Sequence, residues 1–533
     1  MPVMALTSFI IIIFAVVLFS WFKTRKEKTG TLNALFFANR KLGFAAVGCG
    51  LLFTNINTAS FVGENELSYI NNMSVMAWGV TSVLAMQLVS ELIIPIYLRT
   101  GIATTPDFLE ARYDRSVKWI VSILFLANYI INLLPAVLYG SAVAFDGLFD
   151  ISERFGIPHQ ATVWILVWSI GILGTLYALL GGLKALTISD TLLGFALFTG
   201  GLLLPYFALR YLGAGDWQAG LQTLLSSKTE HFNSIGKPGD AVPFGTIFTG
   251  MLLVNLYYWG TEQYIVQQAL ASRDLATCQK GMALAALGKL MLPLLLNIPG
   301  VIAAHLYTGL SNTSTVFSKL AGDVSPPAYS GYLAAILFGA TVTTFIAGLN
   351  SSATLFMLNV YRPLMAKRRR LPREQNQVRT AKRFQAGIAV IAMLIAPFIL
   401  FATGGFYTYL QKIGGLFSVP IFTIMLVGFL TKRVPPLAAR AGLFFFIISY
   451  GATQLFVTVQ LHFLHVLAIL FVITTVIMLL IGRWKPMPVP FELKQNNMVA
   501  VQPWRYRRIV GLALVIAALL LFMLFSPLGL VNA

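Results

Sequence analysis

The chain has 533 residues, 57% of them hydrophobic and only 11% charged, with a formal net charge of +19. A soluble protein of this length needs far more charge to cover its surface, so composition excludes a soluble globular domain and points to the bilayer. The positive balance then reads as membrane topology rather than nucleic-acid binding, and Cys49 and Cys278, far apart and without metal or redox spacing, imply no disulfide framework.

Apolar stretches of spanning length fall at 4–22, 42–63, 73–98, 117–146, 161–182, 184–209, 243–265, 281–308, 330–360, 384–402, 406–430, 435–459, 462–482 and 509–528, about 14 transmembrane helices in an all-α multi-pass membrane protein. The first stretch is too long for a signal-peptide core and lacks a positive n-region and a small-residue cleavage site, so it counts as a span. With the N-terminus outside, inner loops hold 31 of the 38 Lys and Arg and outer segments hold five: Arg154, Arg210, Lys228, Lys237 and Lys319. The remaining two, Lys289 and Lys412, fall within spans. This alternation predicts both termini outside. The inner run Lys367-Arg-Arg-Arg370 reads as topogenic charge, ahead of nucleic-acid or specific lipid binding. The longest outer segment, 210–242, carries Trp217, Glu230 and His231 and predicts a short surface cap. With no loop long enough to fold separately, the style is that of a bacterial plasma-membrane (inner-membrane) protein. Asn72-Met-Ser74 and Asn312-Thr-Ser314 fit glycosylation sequons on outer loops, a pattern that also arises by chance.

Two spans are not uniformly apolar. The second carries Thr54, Asn55, Asn57 and Thr58 near its middle, and Asn and Thr side chains offer the backbone hydrogen bonds that compete with helix. The seventh reads Asn255-Leu-Tyr-Tyr-Trp-Gly260 followed by Thr261, Glu262 and Gln263. Read from residues alone, such clusters either glue packed helices together or mark interrupted helices, whose unwound carbonyls and half-helix ends hold ions. A matched pair five spans apart favours an inverted-repeat transporter with its site at the midplane. In the ninth span Thr343 and Thr344 offer hydroxyl oxygens to a hard monovalent cation, although threonines also bond back to their own helix. Lys289, Asp190 and Glu91 are intramembrane charges, each a functional candidate or half of a structural pair. The histidines (His159, His231, His305, His462, His465) lack metal spacing, no catalytic constellation is present, and no P-loop exists to use ATP.

At these residues the chain resembles the solute:sodium symporter family, that of the sodium/glucose and sodium/galactose cotransporters. The likeness covers nearly the whole chain and is densest at Ala103 to Tyr113, at Tyr177-Ala-Leu-Leu-Gly-Gly-Leu-Lys-Ala-Leu, at Asn255 to Gly260, at Gln267 to Lys280 and at Leu349-Asn-Ser-Ser-Ala-Thr-Leu-Phe. The resemblance implies a LeuT-type 5+5 inverted-repeat core at 42–430, with repeats at about 42–209 and about 243–430. An extra helix and inside loop (1–41) precede this core and three helices (431–533) follow it. It implies alternating access and a sodium ion held by the carbonyls of Phe53, Ile56 and Ala340 and the hydroxyls of Thr343 and Thr344, where threonines replace the family's serines. It places Asp190 on the sodium exit route.

For a sugar-like solute, the resemblance points to Asn55, Ser82, Asn255, Lys289 and Gln411 as hydrogen-bonding groups, with Tyr258 as the inner aromatic gate and Trp259 beside it. Where sugar carriers place a glutamine and a glutamate, this chain has Ser60 and Gly79. A glycine cannot replace a carboxylate that accepts two sugar hydroxyls, so either water or Glu262 substitutes, or the solute is not a plain hexose. Losing that carboxylate while keeping Lys289 would suit an acidic sugar derivative. The expected function is sodium-coupled symport of a sugar or sugar derivative, without ATP or nucleic acid. Symport of a carboxylate, amino acid, vitamin or inorganic anion is the alternative, and a sodium-permeable channel or sensor a more distant one.

Overall fold

The computed structural model describes residues 2–24, 31–310, 313–369, 372–401, 406–456, 459–493 and 501–532. Asn312 of the second sequon, Arg370 of the basic run and the side chains at 180–185, Lys184 included, lie outside the described residues. Among the described residues, 12 helices are long and apolar enough to cross a membrane, and one further pair bent by 57° makes a thirteenth crossing.

That bent pair is the expected second span, helices α1 (Phe44–Asn55) and α2 (Thr58–Ile70). It is followed by α3 (Ala77–Thr100) and, in one long crossing, the helix Arg115–Asn128, a wide turn at Tyr129–Leu133 and α4 (Leu134–Phe149). Helix α5 (His159–Gly201) has 43 residues; at 1.5 Å each that is about 65 Å, twice the hydrocarbon thickness, so it serves two spans. The expected seventh span is a second interrupted pair, α6 (Gly250–Gly260) and α7 (Gln263–Leu270), whose glutamine-rich second half lowers its apolar character. Then come α8 (Leu275–Leu292), α9 (Pro327–Leu355), the helix Glu374–Ile395 and α10 (Phe406–Leu430). Three apolar helices close the chain: Pro436–Leu455, Phe463–Trp484 and Arg507–Leu524.

Burial separates centre from periphery. The apolar window at Pro327–Lys367 is 83% buried, against 11% at Val3–Lys23 and at Arg507–Leu524. Helix α9 packs on α5, on α4 and on the N-terminal helix Pro2–Thr24, while α8 packs on α1 and α3. The α1–α8 contact requires two glycines: a Cβ on Gly48 would lie 2.8 Å from the Gly281 carbonyl oxygen, and one on Gly281 would lie 2.8 Å from Cγ1 of Val47. Without a hydrophobic force between helices in lipid, such close backbone approach supplies much of the association. Around one end of the core, the Gln267 amide donates to the Phe36 carbonyl at 2.7 Å and to the Thr354 hydroxyl at 3.1 Å, and accepts from Ser351 at 2.9 Å. One α7 side chain thus ties the short helix Leu32–Phe37 to α9. The segment after α5 folds as the helix Trp217–Ser226 and the turn Thr229–Phe232, packed over the ends of α2 and the last helix through His231 and Ser234.

Candidate transport site

The first break is a product of local chemistry. Asn57 caps α2, its side-chain oxygen accepting from the Ser60 amide at 3.0 Å, while Ile56 takes an extended conformation (φ −87, ψ 93). An asparagine cap followed by threonine offers these backbone groups partners that a continuous helix would otherwise supply. The carbonyls of Phe53, Thr54 and Asn55 therefore lose the amides one turn on. Helix α9 meets them with hydroxyls. Thr344 donates to the Thr54 carbonyl at 2.9 Å and to the Ala340 carbonyl at 3.0 Å. Thr343 donates to Oδ1 of Asp190 on α5 at 2.7 Å, and Oδ2 of that fully buried carboxylate has no partner among the described residues. Of the expected sodium ligands, Phe53, Ile56, Ala340, Thr343 and Thr344 are all buried at this α1–α9 contact, and Thr54, lying between Phe53 and Ile56 in the chain, is the residue whose carbonyl Thr344 reaches.

The second break is held by Glu262. It caps α7 through a 3.1 Å bond from the Gln263 amide, and it accepts from the hydroxyls of Tyr129 (2.5 Å) and Tyr257 (2.7 Å). Tyr129 opens the wide turn in the fourth crossing, which explains how that turn is fastened. The Thr261 carbonyl accepts from Thr105 at 2.7 Å. The two breaks touch: Gln268 of α7 donates to the Thr54 hydroxyl at 2.6 Å. Thr54 thus receives α9 on its carbonyl and α7 on its side chain.

Between the breaks lies a cavity of about 200 Å³. Nine of the ten expected solute-binding residues line it: Asn55, Ser60, Ser82, Asn255, Tyr258, Trp259, Glu262, Lys289 and Gln411. Tyr258 and Trp259 stand edge to face with centroids 5.3 Å apart, and Tyr258 accepts from the Tyr264 hydroxyl at 2.9 Å. Asn255 is oriented by a 3.1 Å bond to Thr81, and Ser82 by a 2.5 Å bond to the Gly79 carbonyl. Gly79 itself lies behind the wall, where a Cβ would meet only the Lys289 carbonyl oxygen, at 3.9 Å.

A sequence model of the sodium:solute symporter family matches residues 35–445. The chain belongs to the sodium:solute symporter family. It is therefore a multi-pass membrane carrier and not an enzyme. An uncharacterised symporter of Escherichia coli K12, YidK, is 39% identical over 510 residues, spanning 96% of this chain and 89% of that one. The sodium/glucose cotransporter of Vibrio parahaemolyticus is 29% identical over 448 residues, 78% of this chain and 79% of that one. A Na+-coupled sialic acid symporter, solved substrate-bound and outward-open, superposes with a TM-score of 0.75 at 17% identity, covering 90% of this chain and 96% of that one. The fold is the LeuT-type inverted repeat of sodium symporters.

This symporter-family member also lines its cavity with Asn57, which the sequence marks as a helix breaker, and with Glu64, Trp78, Asn128, Asn132 and Ser418, which sequence reasoning missed. Asn128 and Asn132 face it because the wide turn at Tyr129–Leu133 inserts an extra residue into the helical repeat, and Asn132 donates to Asn128 at 3.2 Å. Glu64 was placed beyond the end of the second span at 63, but α2 continues to Ile70 and carries it inside. The signal was there, in two glutamates beside a span containing a helix break. Glu64 and Lys289 both line the cavity and are 4% and 5% exposed. The cavity therefore holds a carboxylate as well as its lysine.

Proposed function

We propose that this protein is a sodium-coupled symporter of a neutral sugar or sugar derivative, working by alternating access. One observation carries the reading. A cavity lined by side-chain amides, hydroxyls and aromatic rings sits directly between two helix breaks, and one break is met by the hydroxyl of Thr344, whose neighbour Thr343 bonds Asp190. Amides and hydroxyls give each sugar hydroxyl a directional partner, and Tyr258 with Trp259 and Trp78 offers apolar faces for ring C–H groups. The modest volume suits a solute of monosaccharide size.

The sodium ion is the co-substrate, held by the carbonyls of Phe53, Ile56 and Ala340 with the hydroxyls of Thr343 and Thr344. A hard cation takes several neutral oxygens, and such ligands release it when the helices part. Asn55 lies one residue from Thr54, so closing α1 on α9 around sodium sets the amide that faces the solute. Asp190, bonded to Thr343, draws the ion along its exit. The transport unit is 42–430, in a bacterial inner membrane with both termini outside, as the loop charges favour.

The test is uptake of radiolabelled glucose and galactose into proteoliposomes, with unlabelled sialic acid as competitor. The reading expects accumulation of at least one hexose under an inward sodium gradient, little affected by sialic acid. Uptake of an acid or amino acid with no hexose uptake contradicts it.

A further inference from the structure

We propose that Glu64 is the carboxylate that anchors the solute's hydroxyls, positioned by Lys289 and selecting neutral polyhydroxy solutes over anions. This rests on the reading of the cavity as the solute site. Glu64 on α2 and Lys289 on α8 are 4% and 5% exposed, and both line the cavity. Only one other carboxylate lines it among the described residues, and Glu262 is engaged by two tyrosine hydroxyls and a backbone amide. A solute reaching Glu262 would have to displace those bonds.

The frame around the pair is fixed on both sides. One residue after Glu64, the Asn65 amide donates to the Leu296 carbonyl at 3.1 Å, and Asn297 donates to Ser68 at 3.0 Å. Leu296 and Asn297 belong to the turn Pro293–Asn297 that directly continues α8, so α2 and α8 hold Glu64 and Lys289 in one register. On the third side, Gly79 leaves the α3 wall bare beside the Lys289 backbone.

The chemistry follows. A carboxylate accepts two O–H bonds from neighbouring sugar hydroxyls, stronger than amides can offer. A carboxylate and an ammonium buried in one cavity offset each other, because either charge alone would be costly to bury. An anionic solute meets Glu64 as a like charge and finds Lys289 already neutralised.

The full-length protein in proteoliposomes, with tritiated galactose and glucose as probes, tests this. E64Q should raise the sugar KM about tenfold or more while half-saturating sodium stays within about twofold. An unchanged sugar KM in E64Q overturns the proposal and leaves the symport reading standing. Should E64Q fail to fold, E64D keeps the charge and draws the carboxylate back from the cavity. A raised sugar KM in that variant supports the anchor, and a wild-type KM reduces the pair to scaffolding and overturns it. Wild-type protein that takes up neither sugar overturns both readings together.

Discussion

The hydroxyl of Thr344 donates to the backbone carbonyl of Thr54 at 2.9 Å, joining the most buried of the 12 candidate spans among the described residues to the open end of a broken helix. On the same residue, the Thr54 side chain accepts from Gln268, which belongs to the other broken helix. An ion bound among these oxygens, as proposed, would act on both breaks at once. Coupling in this scaffold needs such a shared element, since a ligand shifts a conformational equilibrium only through contacts that differ between states.

Thr344→Ala removes a candidate ion ligand together with its bonds to Thr54 and Ala340. Half-saturating sodium for sugar uptake should rise about tenfold to a hundredfold, the equivalent of about 1.5–3 kcal/mol. Thr344→Ser should stay near wild type. Thr343→Ala should also weaken sodium dependence sharply, and wild-type sodium curves in both alanine variants would remove the assignment.

Glu262→Gln keeps the size of the side chain but replaces one acceptor oxygen with an amino group that faces a tyrosine hydroxyl. Losing one of the bonds from Tyr129 and Tyr257 should cost about 1–3 kcal/mol, read as a lower unfolding midpoint in detergent, and should raise the solute KM because α7 loses its cap. Tyr257→Phe should show a smaller drop. No change in either would mean the second break is held by something else.

Arg112 is fully buried and donates to the carbonyls of Gly428 (2.9 Å), Thr431 (2.9 Å) and Val434 (3.1 Å) and to the Thr431 hydroxyl (3.1 Å). It fastens the link after α10 to the segment before the fourth crossing. A lysine cannot reproduce a planar fork of donors, so Arg112→Lys should destabilise the fold by about 2–4 kcal/mol without altering the sodium dependence of what still folds. Equal unfolding midpoints would contradict this.

His231, in the segment over the end of α2, lies 3.4 Å from the Ser68 carbonyl, and burial pushes its imidazole below the ordinary 6.5. The Ser68 carbonyl and Glu230 oppose that push, while His305 and Lys228 add to it. A lowered folded-state value means the neutral form is favoured by the fold, so its stability is present above pH 6.5 and is lost as pH falls below it. Protection factors for hydrogen exchange across 229–242, corrected for the intrinsic pH dependence, should fall as pH is lowered from about 7.5 to about 5.5, and His231→Asn should flatten that dependence.

The parts legible in the sequence are those where polarity is expensive. Asn and Thr in an apolar run announce the first break, and Asn255 to Gln263 announces the second, because lipid tolerates neither without a structural reason. The partners were not legible. That Thr343 would meet Asp190, or Gln268 reach Thr54, depends on helices far apart in the chain. Glu64 escaped because hydropathy ends a span where charge begins, whereas a bent helix can carry charge onward into a protein interior. Asn128 and Asn132 escaped because a wide turn rotates the face that a regular helix would present.

Coupled flux tests the central claim most directly. Proteoliposomes holding the purified protein, at equal sodium on both sides and clamped membrane potential, are given radioactive sodium and an inward gradient of galactose or glucose. The account predicts that the sugar gradient drives sodium inward against none of its own, and that Thr344→Ala abolishes this at low sodium. Sodium movement that is the same with and without sugar would contradict it, leaving a sodium path with no symport.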